Sequence, residues 1–265
     1  MPSSVSGGRV RLLIHDTLIT SPFTMPISQR WLESPLPLET RASLAGGDLT
    51  ADDVAFLPAA EIASLHDTHH ILPDFAAVSF QRGAIAMRVP VRPDEIRVTP
   101  VRLWHASSSA EMLARATLHP FYGITPTTFT SSNTAEAQVV ILEGSEALQA
   151  PEAGFSEDLV RAWFILTEQP FVSHIVVAPK ALDRQALAPA LSTLSDLRLA
   201  GHERRKEVRR AIAETAQLEP NVVTDFFLAQ RYTLEPNDRR SLLMLLQRGN
   251  RGSALPYVWD VSYVE

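Results

Sequence analysis

The segment VVILEGSEAL at residues 139–148, followed by EDLVRAWFILTEQPFV at residues 157–172, carries the strongest fold signal in the chain. Four consecutive apolar residues at 139–142 predict a buried strand, which ends at the glycine that follows. A helix with Trp163 on its apolar face is predicted next, and it ends before Pro170. A buried strand, a short turn and then a helix form the repeating unit of an α/β fold.

The same alternation of strands and helices extends along most of the chain. Short apolar runs predict further strands at 10–14, 36–40, 54–57, 75–79, 84–89 and 101–104. Short helices are predicted at 27–32, 59–65 and 110–119. Four more are predicted at 183–199, 203–217, 220–230 and 237–247, where apolar residues recur at spacings of three and four. The strands at 75–79 and 84–89 are predicted to pair with each other around Gly83. The aromatic tail at 255–264 is predicted to be extended and to pack against the fold.

The composition excludes several classes of protein. The chain has 265 residues, a net charge of −6 and no cysteine. An acidic balance argues against a nucleic-acid surface, and the absence of cysteine excludes disulfides and cysteine metal sites. No run approaches the roughly 18 apolar residues of a membrane span, and the apolar stretch at 10–14 is too short for a signal peptide.

In an open α/β sheet, ligands bind beyond the carboxyl ends of the strands. This rule selects four loops, at residues 17–23, 58–61, 106–109 and 143–145. The strongest candidate is Ser107, Ser108 and Ser109, because hydroxyls and free backbone amides at a helix start suit a carboxylate. The alternative is that one of these serines simply caps the helix. Thr20 and Ser21 offer two more hydroxyls, unless they form an ordinary turn.

The histidines give weaker signals. His66, His69 and His70 form the sequence HDTHH, which is more typical of a surface turn than of a metal-binding helix, so no metal site is predicted. His174 lies in an apolar run and either faces the cleft or is a core histidine with one hydrogen bond. The phosphate-binding and dinucleotide-binding glycine motifs are absent, so no cofactor is predicted.

Several short motifs, in this order and at this spacing, resemble one protein family. They are Ser107-Ser108-Ser109 followed by Met112-Leu113, Tyr122-Gly123, Leu142 with Gly144 and Glu146-Ala147-Leu148, the run DLVRAWFILTEQPFV at 158–172, and Tyr232 with Leu234 and Glu235. The chain resembles the menaquinone-biosynthesis proteins of the futalosine pathway, chorismate dehydratase and dihydroxynaphthoate synthase. The resemblance implies a two-lobed, type 2 periplasmic-binding-protein-like fold with a ligand cleft between the lobes. We expect residues 1–95 and 176–265 to form one lobe and residues 96–175 the other, with crossings near 90–100 and 171–177.

The resemblance also implies a function. A chorismate dehydratase removes water from chorismate, yields 3-[(1-carboxyvinyl)oxy]benzoate and needs no cofactor. Ser107, Ser108 and Ser109 would hold a substrate carboxylate, and Thr20, Ser21 and Arg82 would surround the leaving group or a second carboxylate. Arg82 is otherwise an exposed hairpin arginine. Glu143 and Gly144 complete the expected substrate-binding set, and the base is left unassigned.

Five positions depart from the family pattern in the expected cleft. Ile19, Ala59, Trp104, Ala110 and Ser145 replace polar groups, and each lost hydrogen bond should cost about 0.5–1.5 kcal/mol of substrate binding. The alternative function is therefore a non-catalytic solute-binding or sensor protein for a small anionic ligand. A binding-protein fold without an export signal points to the cytoplasm, and a homodimer is possible.

Overall fold

The computed structural model describes residues 10–132 and 137–250, together with Gly252 and Val258. The described strands are β1 (Arg11–His15), β2 (Leu38–Arg41), β3 (Asp53–Pro58), β4 (His69–Ser79), β5 (Ile85–Val89), β6 (Val98–Trp104), β7 (Thr125–Thr130), β8 (Val139–Glu143), β9 (Phe155–Asp158), β10 (Phe171–Pro179) and β11 (Gln230–Arg231). The described helices are α1 (Ser21–Ser28), α2 (Ser108–Tyr122), α3 (Ser145–Leu148), α4 (Leu159–Thr167), α5 (Arg184–Glu203), α6 (Arg205–Ala216), α7 (Pro220–Leu228) and α8 (Pro236–Arg248).

These strands form two sheets. The first has six strands in the order β11-β4-β10-β3-β1-β2, and the second has five in the order β7-β6-β8-β5-β9. In the first sheet β1 lies parallel to β2 and β3, while in the second β6 lies parallel to β7 and β8. The mixed α/β architecture with two lobes confirms the predicted fold class.

The core follows from the continuous apolar runs in the sequence. Every residue of β3 and β10 is buried, as expected for central strands whose two faces are both covered. One face of the first sheet packs against α5, whose buried Leu187, Leu194 and Leu197 lie in one cluster with Leu12 and Phe56. Fully burying such a side chain stabilises a fold by roughly 1.5–3 kcal/mol.

The chain crosses between the sheets at different positions from those predicted. It leaves the first sheet after Ser79, enters the second at Ile85, and returns between Thr167 and Phe171. The strand β5, expected in the first lobe, therefore belongs to the second sheet, and residues 171–175, expected in the second lobe, belong to the first. The proline-rich stretch near 90–100 does not link the sheets, because it forms a 3₁₀ turn at Pro93–Glu95 that leads into β6.

The predicted pairing of 75–79 with 84–89 is wrong. The strand β4 pairs with β10 and β11, whereas β5 pairs with β8 and β9. Gly83 is needed in the intervening crossing because a Cβ atom there would lie 2.2 Å from Cγ2 of Val160. The first crossing thus passes tightly against α4.

Other sequence predictions have mixed outcomes. The helix expected at 27–32 is replaced by the earlier α1, which has Pro22 in its first turn, a position where proline is favoured. Val258 bridges to Ile71, and the rest of the predicted C-terminal extended tail lies outside the described residues. In the part of the chain that the structure describes, no helix is long and apolar enough to cross a membrane.

Candidate functional site

A cavity of about 780 Å³ opens between the two sheets, and we call it the cleft. It lies where the loops after β1, β2, β6 and β8 meet, with the C-terminal half of α6 closing one side. The rule for open α/β sheets predicts this position. The side chains and backbone groups that line it come from His15, Asp16, Thr17, Leu18, Ser21, Thr24, Met25, Ser28, Gln29, Ala42, Ser43, His105, Ala106, Ser107, Glu143, Gly144, Ser145, Glu146, Ala211, Ile212, Thr215 and Ala216.

Glu143 is the last residue of β8, and its carboxylate lies against the start of α2. The backbone N–H of Ser107 donates to Oε2 of Glu143 over 2.5 Å. Burial raises the pKa of the Glu143 carboxyl, although the hydrogen bonds from the Ser107 amide and hydroxyl act in the opposite direction. Glu143 thus lies in the cleft wall, with one carboxylate oxygen hydrogen-bonded to the start of α2.

Ser107 also caps α2. Its hydroxyl accepts a hydrogen bond from the backbone N–H of Ala110 over 3.3 Å. Ser107 is therefore the serine that caps the helix, which the sequence alone could not decide. Its own backbone N–H is hydrogen-bonded to the carboxylate of Glu143. The Ser107 amide at the helix start therefore already binds a carboxylate of the protein itself.

A buried chain of polar groups reaches the cleft at His15. Nδ1 of His15 lies 2.8 Å from Nε2 of His174, and Nδ1 of His174 lies 3.1 Å from Oγ of Ser173. Nε2 of His15 lies 3.2 Å from the carbonyl oxygen of Ala42. Because a carbonyl can only accept, the contact with Ala42 places a proton on Nε2 of His15, and His174 then donates from Nε2 to Nδ1 of His15. The Ser173 hydroxyl has one proton, and both the carbonyl oxygen of Ala77, at 3.2 Å, and Nδ1 of His174 lie within hydrogen-bond distance of it.

Both histidines are neutral at physiological pH. Burial lowers the pKa of His15, and it lowers the pKa of the fully buried His174 well below the ordinary value. The nearby ring of His15 adds to the effect on His174. Of the two interpretations considered, the core histidine is the correct one, and Nε2 of His174 contacts the ring of His15.

The cleft is acidic. Among the described residues that line it, Asp16, Glu143 and Glu146 are the charged side chains, and no lysine or arginine is present. Oε2 of Glu146 is buried without a hydrogen-bond partner in the described part of the chain. Any carboxylate of a substrate would therefore be bound by neutral donors such as hydroxyls and backbone amides.

Four of the eight predicted site residues line the cleft, namely Ser21, Ser107, Glu143 and Gly144. Thr20 is fully buried behind it, where its hydroxyl donates to the carbonyl oxygen of His15 over 2.6 Å. These positions leave the predicted roles in substrate binding untested.

The other three predicted residues lie elsewhere. Ser109 is fully buried, and its hydroxyl donates to the carbonyl of Ser173 and accepts from the amide of Ala60. The Ser108 hydroxyl is buried outside the cleft lining and has no hydrogen-bond partner among the described residues. Arg82 does not line the cleft. It lies on the solvent-exposed surface, where its Nη1 pairs with Asp225 at 2.8 Å.

Sequence reasoning missed several lining residues. His15 ends the first strand, so the strand-end rule could have predicted it. Its contact with His174 could not be predicted, because the two residues are 159 positions apart in the sequence. His105 has a φ of 52°, an unusual conformation for a non-glycine residue and a recurrent feature of ligand sites. The contribution of α6 to the cleft has no local sequence signal.

Comparison with known protein families shows which family this chain belongs to. A family model described as menaquinone biosynthesis matches residues 42–251. The chain belongs to this family. The match spans most of the chain and includes the cleft loops after β6 and β8, as well as the lining segment of α6.

Solved structures agree on the fold. A protein from Archaeoglobus fulgidus has a TM-score of 0.66 at 11% identity, with 91% of this chain and 96% of that chain covered. The ligand-binding component of an ABC-type import system from Staphylococcus aureus, solved with zinc bound, has a TM-score of 0.62 at 11% identity and coverages of 96% and 97%. The alkanesulfonate-binding protein of Xanthomonas axonopodis pv. citri, bound to MOPS, has a TM-score of 0.60 at 13% identity and coverages of 95% and 98%.

At these identities the neighbours establish the fold alone, which is periplasmic-binding-protein-like. No curated protein matches the sequence significantly.

Proposed function

We propose that the chain is a cofactor-independent hydro-lyase of menaquinone biosynthesis that removes water from chorismate or a closely similar carboxylate. The main support for this proposal is the position of Glu143. Its carboxyl group has a raised pKa and lies in the cleft of a member of the menaquinone-biosynthesis family. The two lobes would close on the substrate about the crossings at 80–84 and 168–170.

Glu143 acts as the base. A general base must lie within reach of the substrate and must have a pKa suited to the proton that it removes. Glu143 lines the cleft, and burial makes its carboxylate more basic than a solvated glutamate. The amide of Ser107 fixes Oε2, so the carboxylate keeps one orientation while the substrate binds.

The elimination balances with this one residue. Ionised Glu143 accepts the proton of a ring C–H bond, and the electron pair of that bond forms the new double bond. The neighbouring C–O bond breaks, and the departing hydroxide takes the proton from Glu143 and leaves as water. Glu143 returns to its ionised state, so no redox or metal step is required.

The substrate carboxylates bind to neutral donors in this proposal. Ser145 lines the cleft next to Glu143 and Gly144, whereas the Ser21 hydroxyl donates to the carbonyl oxygen of Thr17 over 3.2 Å and the Ser107 hydroxyl bonds to Glu143. A carboxylate that accepts hydrogen bonds from neutral donors is held less tightly than one paired with arginine. We therefore expect a high KM.

The test is incubation of the pure protein with chorismate, with mass spectrometry used to detect loss of one water. The proposal predicts that the wild-type protein forms 3-[(1-carboxyvinyl)oxy]benzoate and that Glu143→Gln does not. Glu152→Gln is the matched control, because Glu152 is exposed and does not line the cleft. Equal turnover by Glu143→Gln and the control rules out Glu143 as the base.

A second candidate is a binding protein without turnover. The acidic cleft favours it, because Asp16, Glu143 and Glu146 without a cationic partner suit a neutral or cationic solute better than a dianion. A thermal-shift panel of such solutes separates the two candidates. Stabilisation by one of them, with no turnover of chorismate, identifies a binding protein.

A further inference from the structure

A second cavity, of about 630 Å³, lies in the first lobe away from the cleft. We call it the arginine pocket. It is formed by α5, α6, α7 and β11, and its lining comprises Pro22, Ser195, Arg198, Leu199, Gly201, His202, Arg205, Val208, Arg209, Phe227, Leu228, Gln230 and Tyr232. Its volume falls within the range of about 300–1,000 Å³ that is typical of small-molecule sites.

The helix α6 separates the two cavities. Its first half turns Arg205, Val208 and Arg209 towards the arginine pocket, and its last turns place Ile212 and Thr215 in the cleft. A ligand in the arginine pocket therefore does not occupy the cleft.

The walls of the arginine pocket are largely apolar. Val208 is buried at its base, while Leu199 and Leu228 are 56% and 71% exposed at its rim. Large apolar side chains exposed together around a concave surface are typical of a binding site. An apolar group that fills this cavity would remove these side chains from water.

The charges in this pocket are the opposite of those in the cleft. Arg198, Arg205 and Arg209 line the pocket, and none of its described lining residues is acidic. Arg198 is held in place, because it lies over the ring of Phe75 and donates to the carbonyl of Asp74. Among the described residues, Arg205 and Arg209 make no ion pair. Nη1 of Arg205 donates to the carbonyl oxygen of His202 over 3.2 Å, which leaves the other N–H groups of this guanidinium, together with Arg209, to bind an anion.

We propose that the arginine pocket binds a small amphipathic oxyanion, whose carboxylate or phosphate head meets the arginines and whose apolar body fills the cavity. Guanidinium groups bind the planar oxygens of both heads by charge-assisted hydrogen bonds. The apolar walls supply the rest of the affinity.

The probes are octanoate and octyl phosphate, measured by isothermal titration calorimetry against the wild-type protein. Octanol tests the alkyl group without the charged head, and acetate and inorganic phosphate test the charged head without a long alkyl group. Octanoate or octyl phosphate is expected to bind about tenfold or more tightly than these controls. Equal binding of octanol, or of the head groups alone, overturns the proposal.

The variant Arg205→Gln/Arg209→Gln is expected to weaken binding by about tenfold or more. Arg210→Gln is the matched control, because Arg210 lies on the same helix and is exposed outside the pocket. Leu228→Glu places a negative charge at an exposed position of the rim and is expected to weaken binding as well. Thermal melts confirm that each variant is folded, and unchanged affinity in both pocket variants contradicts the site.

One further measurement tests whether the protein binds a free amphiphile or a membrane surface. The protein is mixed with phosphatidylglycerol vesicles in a flotation experiment. The proposal predicts that octanoate binds and that the protein stays with the soluble fraction. Vesicle binding without octanoate binding overturns it.

Discussion

The Ser107 amide and the Glu143 carboxylate are joined by a hydrogen bond of 2.5 Å across the parallel strands that end at the cleft. The contact joins the strand end of β8 to the start of α2, so the fold itself sets the orientation of the carboxylate. A carboxylate with a fixed direction and a raised pKa is the arrangement that general base catalysis needs.

Replacement of Glu143 by glutamine is expected to reduce turnover and to increase stability. Loss of a general base typically costs about 10²–10⁴ in rate. Burial raises the pKa of folded Glu143 above its ordinary value, so the folded protein holds this proton more tightly than the unfolded chain. Ionised Glu143 therefore costs stability at pH values above the ordinary pKa, and the neutral amide removes that cost.

Urea unfolding at pH 7.5 and near pH 4 checks this sign. Glu143→Gln is expected to be more stable than wild type at the higher pH, with most of the difference lost at the lower pH, which lies below the ordinary glutamate pKa of 4.5. A variant that is less stable than wild type at pH 7.5 contradicts the pKa argument.

The His15–His174 pair should make the protein sensitive to mild acid. Burial lowers the pKa of His174 well below its ordinary value of 6.5, so the unfolded chain takes up a proton that the folded protein does not. Stability is therefore full above pH 6.5 and is lost as the pH falls below it, by at most about 1.4 kcal/mol per pH unit for each histidine. Unfolding free energies of wild type and His174→Gln between pH 7.5 and 5.5 should show a shallower slope for the variant, and equal slopes would rule out this role.

Glu146→Gln is expected to improve the binding of an anionic substrate. Glu146 lines a cleft that has no cationic side chain among its described lining residues, and its charge repels a carboxylate. We expect KM for chorismate to fall while kcat changes little. The measurement is a steady-state assay at low ionic strength, where repulsion between charges is strongest. An unchanged or higher KM would show that the glutamate does not oppose the substrate.

Gly83→Ala should destabilise the protein by about 1–3 kcal/mol, because overpacking at a tight contact costs this much. The added methyl would lie 2.2 Å from Cγ2 of Val160. Gly47→Ala is the control, since a Cβ atom at position 47 meets nothing within 4 Å. Chemical denaturation of both variants compares the two positions, and equal losses would rule out the steric explanation.

Arg82→Gln tests the residue that the sequence placed in the cleft and the structure places outside it. Its ion pair with Asp225 is exposed on both sides, and such pairs contribute about 0–1 kcal/mol. The variant is expected to keep the ligand affinity and turnover of wild type in the same assay. A large rise in KM would place Arg82 close to the substrate after all.

The sequence predicts the fold class and the place of the cleft, because buried strands give continuous apolar runs and strand ends mark ligand sites. It does not predict the lobe boundaries. Prolines indicate irregular backbone, but they do not show whether that backbone links two sheets or leads into a strand. The stretch near Pro93 leads into a strand. Cytoplasmic location and a homodimer stay predictions.

The site residues divide in the same way. Glu143 follows from the strand-end rule, whereas the partner of Arg82 is 143 residues distant in sequence and is set by tertiary packing. The serines at 107–109 show a helix start correctly, yet periodicity cannot say which hydroxyl faces the cleft and which is buried. Ser109, bonded to the carbonyl of Ser173, is the clearest example.

The pH dependence of kcat/KM for chorismate dehydration tests the central claim most directly, because its rising limb reports the ionisation of the base in the free enzyme. We predict product formation by the wild-type protein, with a rising limb at a pKa above the ordinary glutamate value of 4.5. We also predict that this limb and the turnover disappear in Glu143→Gln. Absence of product from the folded wild-type protein at every pH, or an unaltered profile in the variant, would contradict the account.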